Sequence, residues 1–106
     1  VIRDQVQGHE ITFLVKNKQG LIQELPMLVS GSMIVGRSKE ICDLSFQDEH
    51  LSSQHFAIEE GRDGFYIMDL ETTNGTMVNG VRIHQKRKLQ QGDTICAGMI
   101  EMQVRW

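Results

Sequence analysis

Tight-turn dipeptides punctuate the middle of this chain at intervals that leave little room for a helix, and that spacing restricts the fold more than any other feature. Asp63-Gly64, Asn74-Gly75 and Asn79-Gly80 fall close together, and such pairs suit the positive φ angles of two-residue hairpin turns. Around them lie short segments rich in β-branched and aromatic residues: Ile11–Val15, Leu21–Leu25, Met33–Val35, Leu44–Phe46, His55–Glu59, Phe65–Leu70, Met77-Val78, Val81–Ile83, Lys88-Leu89, Thr94–Ala97 and Ile100–Val104. No window of a dozen residues carries apolar side chains at helical spacing. Short strands at this interval, with no helices between them, predict an antiparallel all-β sandwich or barrel whose function sits on its loops.

Taken in order, residues 1–10 are polar and aperiodic and read as a disordered or loosely packed lead-in, with a single domain over residues 11–106. Asn17-Lys18-Gln19-Gly20 turns the chain into the second arm of a hairpin, and Pro26 marks the edge or end of that arm. Asp63-Gly64 joins the two clearest strands. Thr73-Asn74-Gly75-Thr76 reads as another hairpin turn, and Asn79-Gly80 as a third. There is no internal repeat and no linker.

The chain's 106 residues fit one domain, large enough to bury a core without staples. A formal net charge of −3 supplies no broad positive field, so nucleic acid and anionic membrane are not expected partners. No apolar run is long enough to span a bilayer or to serve as a signal peptide. A cytoplasmic location is expected, including the cytoplasmic part of a larger, even membrane-anchored, protein. Cys42 and Cys96 sit among apolar neighbours and read as buried, reduced thiols rather than a disulfide. No His/Cys spacing suggests a metal, and no motif suggests a cofactor.

Any anion must then be held by a local clamp, and a few residues beside turn signals could form one. Arg37 follows Gly36 at a strand end, where the small neighbour leaves room for a ligand and a planar guanidinium can grip phosphate with two donors. Ser52 and Ser53 offer hydroxyls and backbone amides in a loop before His55. A hydrolytic triad built on Ser52 and His55 is not expected, because one local segment supplies neither a strained nucleophile elbow nor an oxyanion site. His55 is expected to point inward and tie the loop. Thr73 could give its hydroxyl to a phosphate and Asn74 its amide to a peptide main chain, although turn geometry alone would account for Asn74. Lys86-Arg87-Lys88 reads as a solvated face. The acidic residues mostly sit at turns without a spacing that pairs two carboxylates.

Gly36-Arg37, Ser52-x-x-His55, Thr73-Asn74-Gly75-Thr76, Asn79-Gly80, Gly92-Asp93 and Gly98, in that order and at those spacings, resemble the forkhead-associated (FHA) domain from about Ile11 to Val104. The resemblance implies a β-sandwich of about eleven short strands with ligand loops at one end. It implies that Arg37 and Ser52 hold the phosphate of a phosphothreonine, that Ser53 and Thr73 assist, and that Asn74 fixes the peptide backbone. Gly36, His55, Gly75, Asn79 and Gly80 would keep the loops in shape, and His50 would be a candidate for selecting the flanking residue. The chain departs from the pattern twice: Ser53 stands where the family commonly has arginine, and Glu71-Thr72 where it commonly has Gly-Ser.

The function so implied is non-enzymatic recognition of phosphothreonine segments in a Ser/Thr kinase pathway. The alternative is a phosphate-independent assembly module, such as the cytoplasmic FHA-like domain of an oligomeric bacterial type III secretion apparatus. Glu71 and the absent arginine at position 53 motivate it.

Overall fold

A computed structural model describes residues 8–17 and 19–106. Among the described residues there are eleven strands: β1 (His9–Lys16), β2 (Ile22–Val29), β3 (Ser32–Gly36), β4 (Leu44–Ser45), β5 (Phe56–Gly61), β6 (Gly64–Asp69), β7 (Thr76–Val78), β8 (Val81–Arg82), β9 (Arg87–Lys88), β10 (Thr94–Ala97) and β11 (Ile100–Arg105). They form two sheets, in the orders β2-β1-β11-β10-β7-β8 and β4-β3-β5-β6-β9. Every pairing is antiparallel except that of β3 with β4, which is parallel.

Period-two alternation builds the core. Ile11, Phe13 and Val15 of β1 are buried while Thr12 and Leu14 between them are not. Met33, Val35, Phe56, Ile58, Phe65 and Ile67 meet them from the other sheet, with Val78, Ile95, Met102 and Val104 beside them. Successive side chains of a strand point to opposite faces, so each strand gives one row to this shared interior.

The first strand starts earlier than residue 11. His9 and Glu10 pair with Val29 and Leu28, because a ladder is made of backbone groups and needs no apolar side chain to extend. Residues 1–7 of the expected lead-in lie outside the described residues. Pro26 falls within β2, which pairs with β1 alone; an edge strand is where a missing N–H is tolerated. Asn79-Gly80 forms the expected two-residue turn, with Val78 paired to Val81 and φ of 52° and 81° at its centre. The β5-β6 turn is Arg62-Asp63, one residue earlier than the Asp-Gly pair, since Gly61 pairs with Gly64. Thr73–Thr76 is no hairpin: the segment carries the chain from the sheet of β6 to the sheet of β7.

Cys42 and Cys96 are unpaired and half-buried rather than buried. Burial pushes both thiols above their usual range. The basic run lies along the β6-β9 side, where Lys86 reaches Glu59 (3.1 Å) and Lys88 reaches Asp63 (2.9 Å). It is a solvated, ion-paired face.

Candidate functional site

Three loops meet at one end: 37–43 after β3, 46–55 after β4 and 70–75 after β6. Their backbones are joined to one another directly. Arg37 N–H donates to the Ser52 carbonyl (2.9 Å) and Ser38 N–H to the Ser53 carbonyl (3.2 Å). Gly36 makes that approach possible: a Cβ there would lie 2.4 Å from the Ser53 carbonyl oxygen and 2.9 Å from the His55 nitrogen. The space beside Gly36 is therefore filled by the neighbouring loop, and the expectation that it makes room for a ligand is corrected.

His55 is fully buried and joins the second loop to the third. Its Nδ1 accepts from the Ser52 N–H (3.0 Å) and its Nε2 faces the Gly75 carbonyl (2.8 Å). That pair of partners requires the tautomer with the proton on Nε2. Both ring nitrogens are engaged with backbone, so His55 has none left to activate Ser52. The same geometry corrects the reading of Ser52 as an amide donor, since its N–H is already taken. The Ser52 and Ser53 hydroxyls make no hydrogen bond among the described residues, and Ser53 is exposed.

The third loop is shaped by residues whose part the sequence reading missed. Asp69, at the end of β6, accepts from the Thr72 N–H (2.9 Å), the Thr72 hydroxyl (2.6 Å) and the Thr76 hydroxyl (2.7 Å). Thr72 in turn accepts from the Gly75 N–H (3.0 Å). Burial pushes the Asp69 carboxyl up, but these donors outweigh it and hold it below the usual carboxylate range. An acid followed three residues later by threonine is the signal of a side-chain-closed turn, and it was available in Asp69-x-x-Thr72.

Within that frame Asn74 does not take the positive φ its Asn-Gly context suggests; Gly75 (85°) and Glu71 (59°) do. Turn geometry therefore does not account for Asn74. Its Nδ2 donates to the His50 carbonyl (3.1 Å), bridging the second and third loops. Thr73 is exposed beside it, and its carbonyl accepts from Arg82 (3.4 Å). The Arg37 side chain is exposed and forms no hydrogen bond or ion pair among the described residues. Arg37, Ser52, Ser53, Thr73 and Asn74 are thus carried by interlocked loops, with a guanidinium and three hydroxyls not engaged among the described residues.

His50 stands slightly apart. Its ring lies 3.2 Å from Asp48 Oδ1, and it lines a hollow of about 600 Å³ shared with Lys16, Asn17, Met99 and Glu101. Asp48 also accepts from the His50 N–H (2.9 Å) and the Met99 N–H (2.7 Å), pinning this loop to the β10-β11 turn. Burial raises its carboxyl, and the donors bring it below the usual range. Asn79 acts from further away: it reaches Asp93 and Thr94 (both 2.9 Å) and holds the β7-β8 turn against β10. No group of three or more His, Cys, Asp or Glu residues is placed to hold a metal among the described residues.

Known proteins share this architecture. The family model described as "FHA domain" matches residues 33–98. An FHA domain solved in a structural and functional analysis of phosphothreonine-dependent FHA domain interactions shares 28% identity at a TM-score of 0.78, covering 92% of this chain and 97% of that one. The FhaA FHA domain, solved with the intracellular domain of Rv3910, shares 29% at 0.76, covering 90% and 99%. The FHA domain of CT664 from Chlamydia trachomatis superimposes at 0.83 with 23% identity over 92% of this chain and 98% of that one, a likeness of fold alone. Among curated proteins, the proliferation marker Ki-67 of Mus musculus is 38% identical over 64 residues, which is 60% of this chain but 2% of that protein's length. With the two-sheet architecture, the interlocked loops and a family match over most of the chain, this chain belongs to the FHA domain family.

Proposed function

We propose that this domain is a non-catalytic recognition module for phosphothreonine-containing protein segments, acting in kinase-dependent assembly on the cytoplasmic side. The observation that carries it is the convergence of Arg37, Ser52 and Asn74 on loops hydrogen-bonded to one another, with the Arg37 guanidinium free of partners among the described residues. Arg37 and Ser52 would take the phosphate, Ser53 and Thr73 would assist, and Asn74 would hold the peptide main chain through the Oδ1 that its bond to His50 leaves free. His50 would meet a flanking residue. The FHA domain solved in an analysis of phosphothreonine-dependent FHA domain interactions supports the reading. So does the engagement of both His55 nitrogens, which argues against hydrolysis.

The energetics suit a reversible switch. A phosphothreonine carries about −1.5 to −2 charges near neutral pH, and each charge-assisted hydrogen bond contributes about 1.5–3 kcal/mol. Three or four such contacts, less the ordering of a flexible peptide, correspond to roughly micromolar affinity. Calorimetric titration of phosphothreonine, phosphoserine and unphosphorylated peptides tests it. Wild type should bind the phosphothreonine peptides alone or best, and Arg37→Ala should weaken them by about tenfold or more. Equal binding of phosphorylated and plain peptides would overturn the reading.

A second reading, a phosphate-independent assembly module of the kind found in a secretion apparatus, has one structural observation in its favour. Ile22 and Leu28 on edge strand β2 are 56% and 60% exposed. Self-association in sedimentation velocity that ignores phosphopeptide and is abolished by Ile22→Lys would favour it.

A further inference from the structure

Arg82, on β8, belongs to no motif that identified the site, yet its side chain reaches the third loop. A Cβ on Gly75 would fall 2.5 Å from Arg82 Nε and 2.8 Å from Cζ. Gly75 is therefore held from two sides, its carbonyl by His55 and its Cα by the guanidinium. Nη2 donates a long hydrogen bond to the Thr73 carbonyl (3.4 Å). Lys86 and Lys88, the next lysines along the chain, each pair with a carboxylate. Arg82 is exposed and pairs with none among the described residues, and Glu71 on the adjoining loop forms no hydrogen bond with it. Most of a five-donor planar fork thus remains open beside Thr73 and Asn74, at an end of the domain where Ser53 supplies no charge.

We propose that Arg82 is a specificity-determining residue: it receives an acidic side chain of the bound segment on the Thr73-Asn74 side of the phosphothreonine. The inference rests on the phosphothreonine reading above. A peptide main chain held by Asn74 passes within reach of the guanidinium that touches the next residue, and a carboxylate is the group that fork matches with two parallel hydrogen bonds.

The test is a set of phosphothreonine peptides with aspartate or asparagine placed in turn at each flanking position, titrated against wild type, Arg82→Ala, Arg82→Lys and Arg82→Glu. At one position wild type should prefer aspartate about threefold to fivefold, the size of an exposed ion pair, and the preference should shrink with salt. Arg82→Ala should weaken the aspartate peptide about threefold to fivefold more than the asparagine peptide, so that the preference falls to about one whatever loss the two series share. Arg82→Lys should keep part of it, and Arg82→Glu should reverse it. Absence of any aspartate preference in wild type, or an equal loss for both peptide series in Arg82→Ala, would overturn the proposal; the second result would leave Arg82 as a brace of the loop only. Failure of every phosphothreonine peptide to bind would instead remove the underlying reading, and this inference with it.

Discussion

Glu71 shows how one residue can be at odds with its own backbone. It stands where the family pattern has glycine, and its φ is 59°. A left-handed conformation costs a non-glycine residue about 1–2 kcal/mol, and Glu71 is exposed with no hydrogen bond among the described residues to offset it. Glu71→Gly should therefore stabilise the domain by about 0.5–1 kcal/mol after glycine's larger unfolded-state entropy is counted, raising the melting temperature by a few degrees. Glu71→Gln keeps the strain and removes the charge. It should leave the melting temperature unchanged and tighten phosphopeptide binding about twofold at low salt. Calorimetry of both variants separates backbone strain from electrostatics. An unchanged melting temperature in Glu71→Gly would show that the left-handed turn carries no cost here.

The loops after β4 and β6 are elements without regular structure, and carboxylates close them. Asp69 gathers three donors, so Asp69→Asn removes the charge they solvate and replaces one of its two acceptor oxygens, facing either the Thr72 N–H or the two hydroxyls, with a donor. The expected loss is about 1–3 kcal/mol of stability, seen as a lower urea midpoint, together with weaker phosphopeptide binding. The pH dependence has a definite sign. Asp69 and Asp48 are both held below their ordinary values, and Glu60 and Asp63 shift the same way. Their contribution is complete above the unfolded carboxylate value of about 4 and disappears as pH falls through the lower folded values. Urea midpoints measured from pH 6 down to pH 2 should fall on the acid side, and less steeply in Asp69→Asn, which lacks one of the titrating groups. A parallel fall in the two proteins would remove Asp69 from this account.

At the scale of the whole molecule the first and last strands hold the fold together. β11 lies between β1 and β10, pairing Arg105 with Thr12 on one side and Gln103 with Thr94 on the other. Trp106 then packs edge-on against Phe65 of the opposite sheet, with ring centroids 5.3 Å apart. Ending the chain before Ile100 would strip the ladder from two strands and remove Met102 and Val104 from the core. Such a truncated chain should show no cooperative thermal transition by circular dichroism. A sharp transition near that of the full chain would mean that the five-strand sheet carries the stability alone.

The alternation of Ile11, Phe13 and Val15, the Asn79-Gly80 turn and the absence of any helical stripe made the all-β class and most strands legible in the residues, because strand periodicity and turn chemistry are local. The order of Gly36-Arg37, Ser52-x-x-His55 and Thr73-Asn74-Gly75 pointed to the site through a resemblance, without showing how its parts meet. What the tertiary structure alone decided is which groups are engaged with one another: the Ser52 amide with His55, the Asn74 amide with the His50 carbonyl, the space at Gly36 with the neighbouring loop, and Arg82 with Gly75. These partners are far apart in the chain or on different sheets, and no local rule relates them. They are set by the sheet order that brings three loops to one end, and that order follows from burying every strand's apolar row in a common core.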